Sequence, residues 1–134
     1  MIKYLLDTNI VIFTIKKRPE SILPKFNKNT DLMAISTITL AELIFGAEKS
    51  GNPERNLAVI EDFASRLTIL PYDEQAAFHY GNIRASLEKI GKRIGDNDLH
   101  IAGHARSKGL IVVTNNTKEF NRVDGLRVED WTLD

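Results

Sequence analysis

Hydrophobic positions along the chain follow two rhythms. Short, mostly apolar runs lie at Ile2 to Leu6, Leu32 to Ile35, Thr68 to Leu70 and Leu110 to Val113, with a weaker one at Leu126 to Val128. Runs of this length suit buried strands. Between them, apolar residues recur three and four apart, the period of a helix with one buried face. Leu40, Leu43, Ile44 and Ala47 make one such stripe, Leu57, Ile60, Ala64 and Leu67 a second, and Ala76, Tyr80, Ile83, Leu87 and Ile90 a third. Earlier in the chain, Asn9 to Lys17 reads as a helix stopped by Pro19, and Ser21 to Asn27 as a weaker one.

The punctuation agrees with this reading. Ser36 or Thr37 can cap the helix that follows the second strand, and Asn52 precedes Pro53 at a first helical position. Asp73 opens the long helix and Gly91 closes it. Gly95 to Asp98 reads as a turn before a helix from Leu99 to Lys108, ended by Gly109, and Thr114 to Thr117 as a polar turn. Strands alternating with helices predict an α/β fold, a parallel sheet of about five strands covered by helices on both faces. No repeat, low-complexity stretch or linker divides the chain, so residues 1–134 are expected to form one domain.

Composition narrows the class. The apolar fraction is 43% and the charged fraction 27%, so disorder is excluded. With no cysteine, neither a disulfide nor a thiolate metal site is available. Asp7 and Asn9 interrupt the N-terminal apolar stretch and no small-residue cleavage site follows, which argues against a signal peptide and for a cytoplasmic protein. No stretch is long enough to predict a membrane span. Eighteen basic and eighteen acidic residues cancel, so the chain is not a bulk basic nucleic-acid coat. Basic side chains do gather locally, at Lys3, Lys16, Lys17, Arg18, Lys25 and Lys28, and again between Arg84 and Lys108. Such patches beside an acidic centre suit a phosphate-backbone substrate, although each one also fits a solvated helix face.

Several acids stand in unexpected places. Asp7 directly follows the first apolar run, at the carboxyl end of a predicted central strand, where open α/β sheets bind ligands. It also fits a plain helix cap, with Thr8 or Asn9 beside it. Glu42 lies among Ile38, Leu43, Phe45 and Gly46, and a carboxylate there is costly to bury unless something pairs with it. Asp98 stands at the mouth of a helix, again either a cap or a ligand. Asn115, Asn116 and Glu119 follow the strand that ends at Val113. If these groups converge at one end of the sheet, their mutual repulsion calls for a counter-ion. Oxygen-only donors suit Mg²⁺ or Mn²⁺.

In order along the chain, Leu6-Asp7-Thr8-Asn9, Ser36 to Leu43, Gly95 to Asp98 running into Ile101 to Ala105, Val113 to Asn116, and Glu129-Asp130-Trp131 resemble the PIN-domain ribonucleases of the VapC type. These are toxins of VapBC toxin–antitoxin pairs, and the likeness is to bacterial members that cut initiator tRNA in the anticodon loop. The resemblance implies a PIN fold with an α/β/α sandwich, Mg²⁺- or Mn²⁺-dependent endoribonuclease activity, a homodimer, and neutralisation by a VapB antitoxin in a hetero-oligomer. It places the family's acids on Asp7, Glu42 and Asp98 as metal ligands and catalytic residues. The family's fourth acid falls on Asn116, with Glu119 the nearest acid to compensate. The family usually has no acid at the position of Asp96, which leaves Asp96 without an implied role. Thr8, Asn9, Thr114 and Asn115 are weaker candidates for orienting water or substrate.

Rival readings remain at this level. A metal-dependent phosphatase with an aspartyl nucleophile usually has a second acid two residues on, where this chain has Asn9. A catalytically decayed RNA- or protein-binding module would account for Asn116 as a lost acid. His100 and His104 have the spacing of a helical zinc pair, but no Glu follows His100 and no third ligand is evident, so they read as a polar helix face.

Overall fold

The computed structural model describes residues 1–133. Five parallel strands form one sheet in the order β3-β2-β1-β4-β5: β1 (Tyr4–Leu6), β2 (Met33–Ser36), β3 (Thr68–Leu70), β4 (Ile111–Val113) and β5 (Arg127–Glu129). The three inner strands are buried along their whole length, whereas the two edges are partly exposed. That is why the inner strands read as apolar runs with no polar alternation: both of their faces are covered.

Helices α1 (Thr8–Lys16), α2 (Ile22–Lys28) and α3 (Thr37–Glu48) cover one face, with α4 (Pro53–Ala64) packed outside α3. Helices α5 (Glu74–Lys89) and α6 (Asp96–Lys108) cover the other, joined by the short α7 (Thr117–Phe120) through Phe120. Strand β1 divides its side chains between the layers. Leu5 packs with Ile83, Leu99 and Val112, and Tyr4 and Leu6 pack with Ile10, Leu43 and Val113. Two cores on opposite faces of one sheet make the expected α/β/α sandwich.

Connectivity fixes where a ligand can enter. From β1 the chain moves outward to β2 and β3, then returns to place β4 on the other side of β1. The order reverses between β1 and β4, and the crevice outside strand carboxyl ends at such a reversal is the usual binding place of open α/β sheets. Leu6 pairs with Val113, and the Asp7 N–H donates to the Val113 carbonyl at 3.0 Å. The residues that follow these two strands, Asp7 and Thr114, therefore stand side by side.

The caps mostly agree with the sequence. Asn52 accepts from the Arg55 N–H, Asp73 from Ala76 and Ser36 from Ile38, and Gly91 and Gly109 both adopt left-handed backbone. Most boundaries shift by one or two residues, and three differences are larger. Helix α6 starts at Asp96, three residues before the expected Leu99, because Gly95 takes the extended capping position. Asp96 and Asp98 then both lie in the first turn, where carboxylates interact favourably with the helix dipole. The expected polar turn after β4 leads into α7, and Leu67 falls beyond the end of α4 while still packing on the core.

Helices α5 and α6 pack so closely at Gly103 that a Cβ there would lie 2.8 Å from the Tyr80 backbone nitrogen. Gly103→Ala is expected to destabilise the fold by about 1–3 kcal/mol, the usual cost of overpacking. Urea unfolding of parent and variant measures it; equal midpoints would show that the two helices have room to separate.

Candidate functional site

Three helix starts and two strand ends converge on the switch-point crevice. Asp7 follows β1 and caps α1, accepting the Ile10 N–H at 2.9 Å, and is 4% exposed. The cap reading is therefore correct, but it engages one oxygen and leaves the buried carboxylate unpaired with any Lys or Arg among the described residues. Glu42, on α3, is half-buried and turned toward α1 and α6. Thr8 donates to its Oε1 at 2.6 Å and Asn97 to its Oε2 at 2.7 Å. Asp98, in the first turn of α6, accepts from the Asn116 amide at 3.2 Å, and the same amide donates to Glu119 at 2.6 Å. Asn116 thus spans two carboxylates, and the Thr114 hydroxyl accepts its backbone N–H at 2.9 Å.

Five of the nine singled-out side chains, Thr8, Glu42, Asp98, Asn116 and Glu119, are directly linked in this way, and Asp7 and Thr114 adjoin them. Asn9 and Asn115 are exposed, and neither bonds the acids among the described residues. Sequence reasoning did not single out Asn97 as a site residue. Its spacing next to Asp98 was visible, but its pairing with Glu42, fifty-five positions away, was not.

The electrostatics are one-sided. Burial, with the charges of Asp98 and Glu42 adding to it, pushes the Asp7 carboxyl up to about 6, against hydrogen bonding from Thr114 and Ile10. Asp98 is raised chiefly by burial, and Glu119 and Glu42 reinforce the shift while Asn116 opposes it. The ion pairs among the described residues leave Asp7, Glu42, Asp98 and Glu119 unpaired with any Lys or Arg. Clustered, unneutralised carboxylates with amide and hydroxyl oxygens around them are a donor set that fits a hard divalent cation. In the arrangement seen, no three His, Asp or Glu side chains among the described residues close on one common point, and Glu42 is engaged by Thr8 and Asn97.

The histidines behave differently from the expected polar face. His104 is fully buried and its Nδ1 meets the Ser36 hydroxyl at 2.8 Å, while His100 meets the Tyr72 hydroxyl at 2.8 Å. Their Nδ1 atoms bond different hydroxyls, and no third possible ligand among the described residues joins them, so the zinc pair has no support. Asp96 pairs with Arg93 at 2.6 Å outside the acid cluster.

The pattern of the PIN domain family matches residues 4–126. The chain is 63% identical over 131 residues to a ribonuclease VapC of Haemophilus influenzae, covering 98% of this chain and 99% of that one. It is 61% identical over 132 residues to the tRNA(fMet)-specific endonuclease VapC of Shigella flexneri, covering 98% and 100%. The structure of DNA-bound VapBC from Salmonella typhimurium superposes with a TM-score of 0.93 at 61% identity, over 98% of this chain and 99% of that chain.

The raised Asp7 carboxyl carries a stability cost. Because its pKa in the fold lies above the unfolded value, the folded state holds the proton more tightly. Stability is then lost as pH rises from 3.8 to about 6, by about 3 kcal/mol once both states are ionised. In chelator, Asp7→Asn keeps the cap and is expected to stabilise the protein by about 1–3 kcal/mol at pH 7.5, the gain vanishing at pH 4. Denaturant unfolding at the two pH values reads it, and a variant less stable at pH 7.5 would show that the charge is not the burden.

Proposed function

The chain belongs to the PIN-domain family, in its VapC branch, and on that premise we propose that it is the toxin of a VapBC pair, an endoribonuclease that hydrolyses RNA phosphodiester bonds. The observation that supports this most is the set of acids Asp7, Glu42 and Asp98, gathered at the switch point with no Lys or Arg among the described residues paired to them. The proposed target is initiator tRNA, cut in its anticodon loop, after the specificity in the name of the Shigella relative. An unstacked loop can present its bases and backbone to such a crevice.

Asp7, Glu42 and Asp98 would hold Mg²⁺ or Mn²⁺, with Asn116 and Glu119 completing the set. When bound, the cation supplies Lewis-acid stabilisation of the developing charge and an acidified water. The chain's own residues prepare that site. Ile10 fixes one oxygen of Asp7, and Thr8 and Asn97 hold the two oxygens of Glu42. Asn116 keeps Asp98 and Glu119 within one amide's reach, limiting their repulsion without adding charge. The N-termini of α1 and α6 favour anionic groups at the same place.

The partner proposed is a VapB antitoxin, in a hetero-oligomer built on a toxin homodimer. A groove of about 390 Å³ suits it, with Ile12, Ile15, Leu43, Val59 and Ile60 on its walls and Glu42 among the lining residues. A segment lying there can bring an Arg or Lys to Asp7 and Glu42. Among the described residues no helix is long and apolar enough to cross a membrane.

With Mg²⁺ or Mn²⁺, the purified protein is expected to cut total tRNA at a single site, and Asp7→Asn to lose at least a hundredfold in rate while staying folded. In the same assay Glu119→Gln should need more Mg²⁺, and adding Asn116→Asp should restore part of the loss. Parent-like cleavage by a folded Asp7→Asn would sink the assignment of that residue, and a parent inert on tRNA the whole reading. Inhibition by the antitoxin is expected to weaken as Mg²⁺ rises. Inhibition indifferent to Mg²⁺, with a footprint remote from residues 7, 42 and 98, would reject the competition.

A further inference from the structure

Helix α6 presents more than the acid crevice. Asn97, His100 and His104 are three and four residues apart and share one face. Asn97 reaches Glu42, and His104 ends in the core at Ser36. His100 lies between them, one turn from the crevice. Its ring is held from several sides. It stacks on Tyr80 with centroids 4.2 Å apart and planes at 8°, meets the edge of Tyr72 at 5.2 Å, and bonds the Tyr72 hydroxyl through Nδ1 at 2.8 Å. Tyr72 is in turn anchored by its N–H to the Thr37 hydroxyl at 3.0 Å. Unlike His104, whose Nε2 is buried without a partner, His100 has an Nε2 that bonds no protein atom among the described residues and is not sealed from solvent.

Two arginines flank this ring. Arg84 donates to the Tyr80 hydroxyl at 2.8 Å and pairs with Glu88, and Arg93 pairs with Asp96 at the start of α6. Both pairs are 39–67% exposed, so they are weak, and a phosphate can replace either carboxylate at little cost. The crevice itself repels phosphate. An RNA strand that offers one phosphodiester to the acids must be held by cations outside them; Arg84 stands on α5, and Arg93 in the loop that leads into α6.

We propose that His100, backed by Tyr72 and Tyr80 and flanked by Arg84 and Arg93, is the ledge that holds the RNA strand beside the acid crevice. This rests on the ribonuclease reading above. The Nε2 edge of His100 hydrogen-bonds an unpaired nucleotide, and the two arginines take neighbouring phosphates. The arrangement gives Asp96, which pairs with Arg93 outside the acid cluster, a role. It parks Arg93 beside the site until RNA replaces it.

Binding of fluorescently labelled initiator tRNA by anisotropy tests this in the Asp7→Asn background with Mg²⁺, where the RNA is not consumed. His100→Ala should weaken binding about tenfold, the loss of a hydrogen bond in a partly dried contact, with no change in salt dependence. Arg84→Gln and Arg93→Gln should each flatten the slope of log K against log salt by about one. His100→Gln, which keeps a polar atom near the Nε2 position, should recover most of the affinity, and Tyr72→Phe should weaken binding at least threefold. A purely structural ledge would move the melting temperature and leave the salt slopes alone. Binding by His100→Ala within twofold of the background, or unchanged slopes in both arginine variants, overturns the proposal while cleavage by the parent stands. If His100→Ala does not fold, Tyr72→Phe binding like the background overturns it instead. Failure of the parent to cut tRNA, together with no binding by the background, overturns the ribonuclease reading and the ledge with it.

Discussion

The structure turns on a charge in the wrong place. Asp7 is buried at the carboxyl end of the central strand, bonded to one backbone N–H, and faces other carboxylates. No Lys or Arg among the described residues pairs with it. A position buried between two helical layers and beside the Val113 strand end would be more stable with an apolar or amide side chain. The parallel sheet, with β1 at its centre and the order reversing beside it, holds the carboxylate there despite the cost.

The surrounding polar groups limit that cost without cancelling it. Thr8, Asn97 and Asn116 are neutral and engage the acids through hydroxyl and amide groups, and the equally neutral Thr114 bonds Asp7 and accepts the Asn116 backbone N–H. A Lys or Arg in any of these places would form an ion pair and stabilise the apo-protein. It would also occupy the carboxylate oxygens that a divalent cation needs. Neutral donors keep the acids ordered and their oxygens exchangeable, which suits the cation binding and partner competition proposed above.

Helix α6 carries two kinds of chemistry because of its register. Its first turn directs Asn97 and Asp98 into the crevice, and the next turn sets His100 against Tyr72 and Tyr80. Gly103 then lets α5 approach closely enough for those rings to stack. A single close helix contact thus sets both the core packing and the surface beside the acids.

The order of strands and helices was legible in the sequence because local rules dominate it. Fully buried inner strands must be apolar on both faces, amphipathic helices must repeat at three and four, and Asn52, Asp73 and Gly109 act within a single turn. The acids could be picked out as misplaced, since carboxylates amid Leu, Ile and Phe are costly wherever they fold. The start of α6 was misjudged because Gly95 can cap a helix as readily as extend a turn. Long-range pairing was not legible. That Asn97 holds Glu42, that Asn116 spans Asp98 and Glu119, and that His104 is core while His100 meets Tyr72 depend on contacts between residues up to sixty-eight positions apart. No periodicity encodes those distances. They are decided when β4 returns to the far side of β1 and brings α6 and α7 against the starts of α1 and α3.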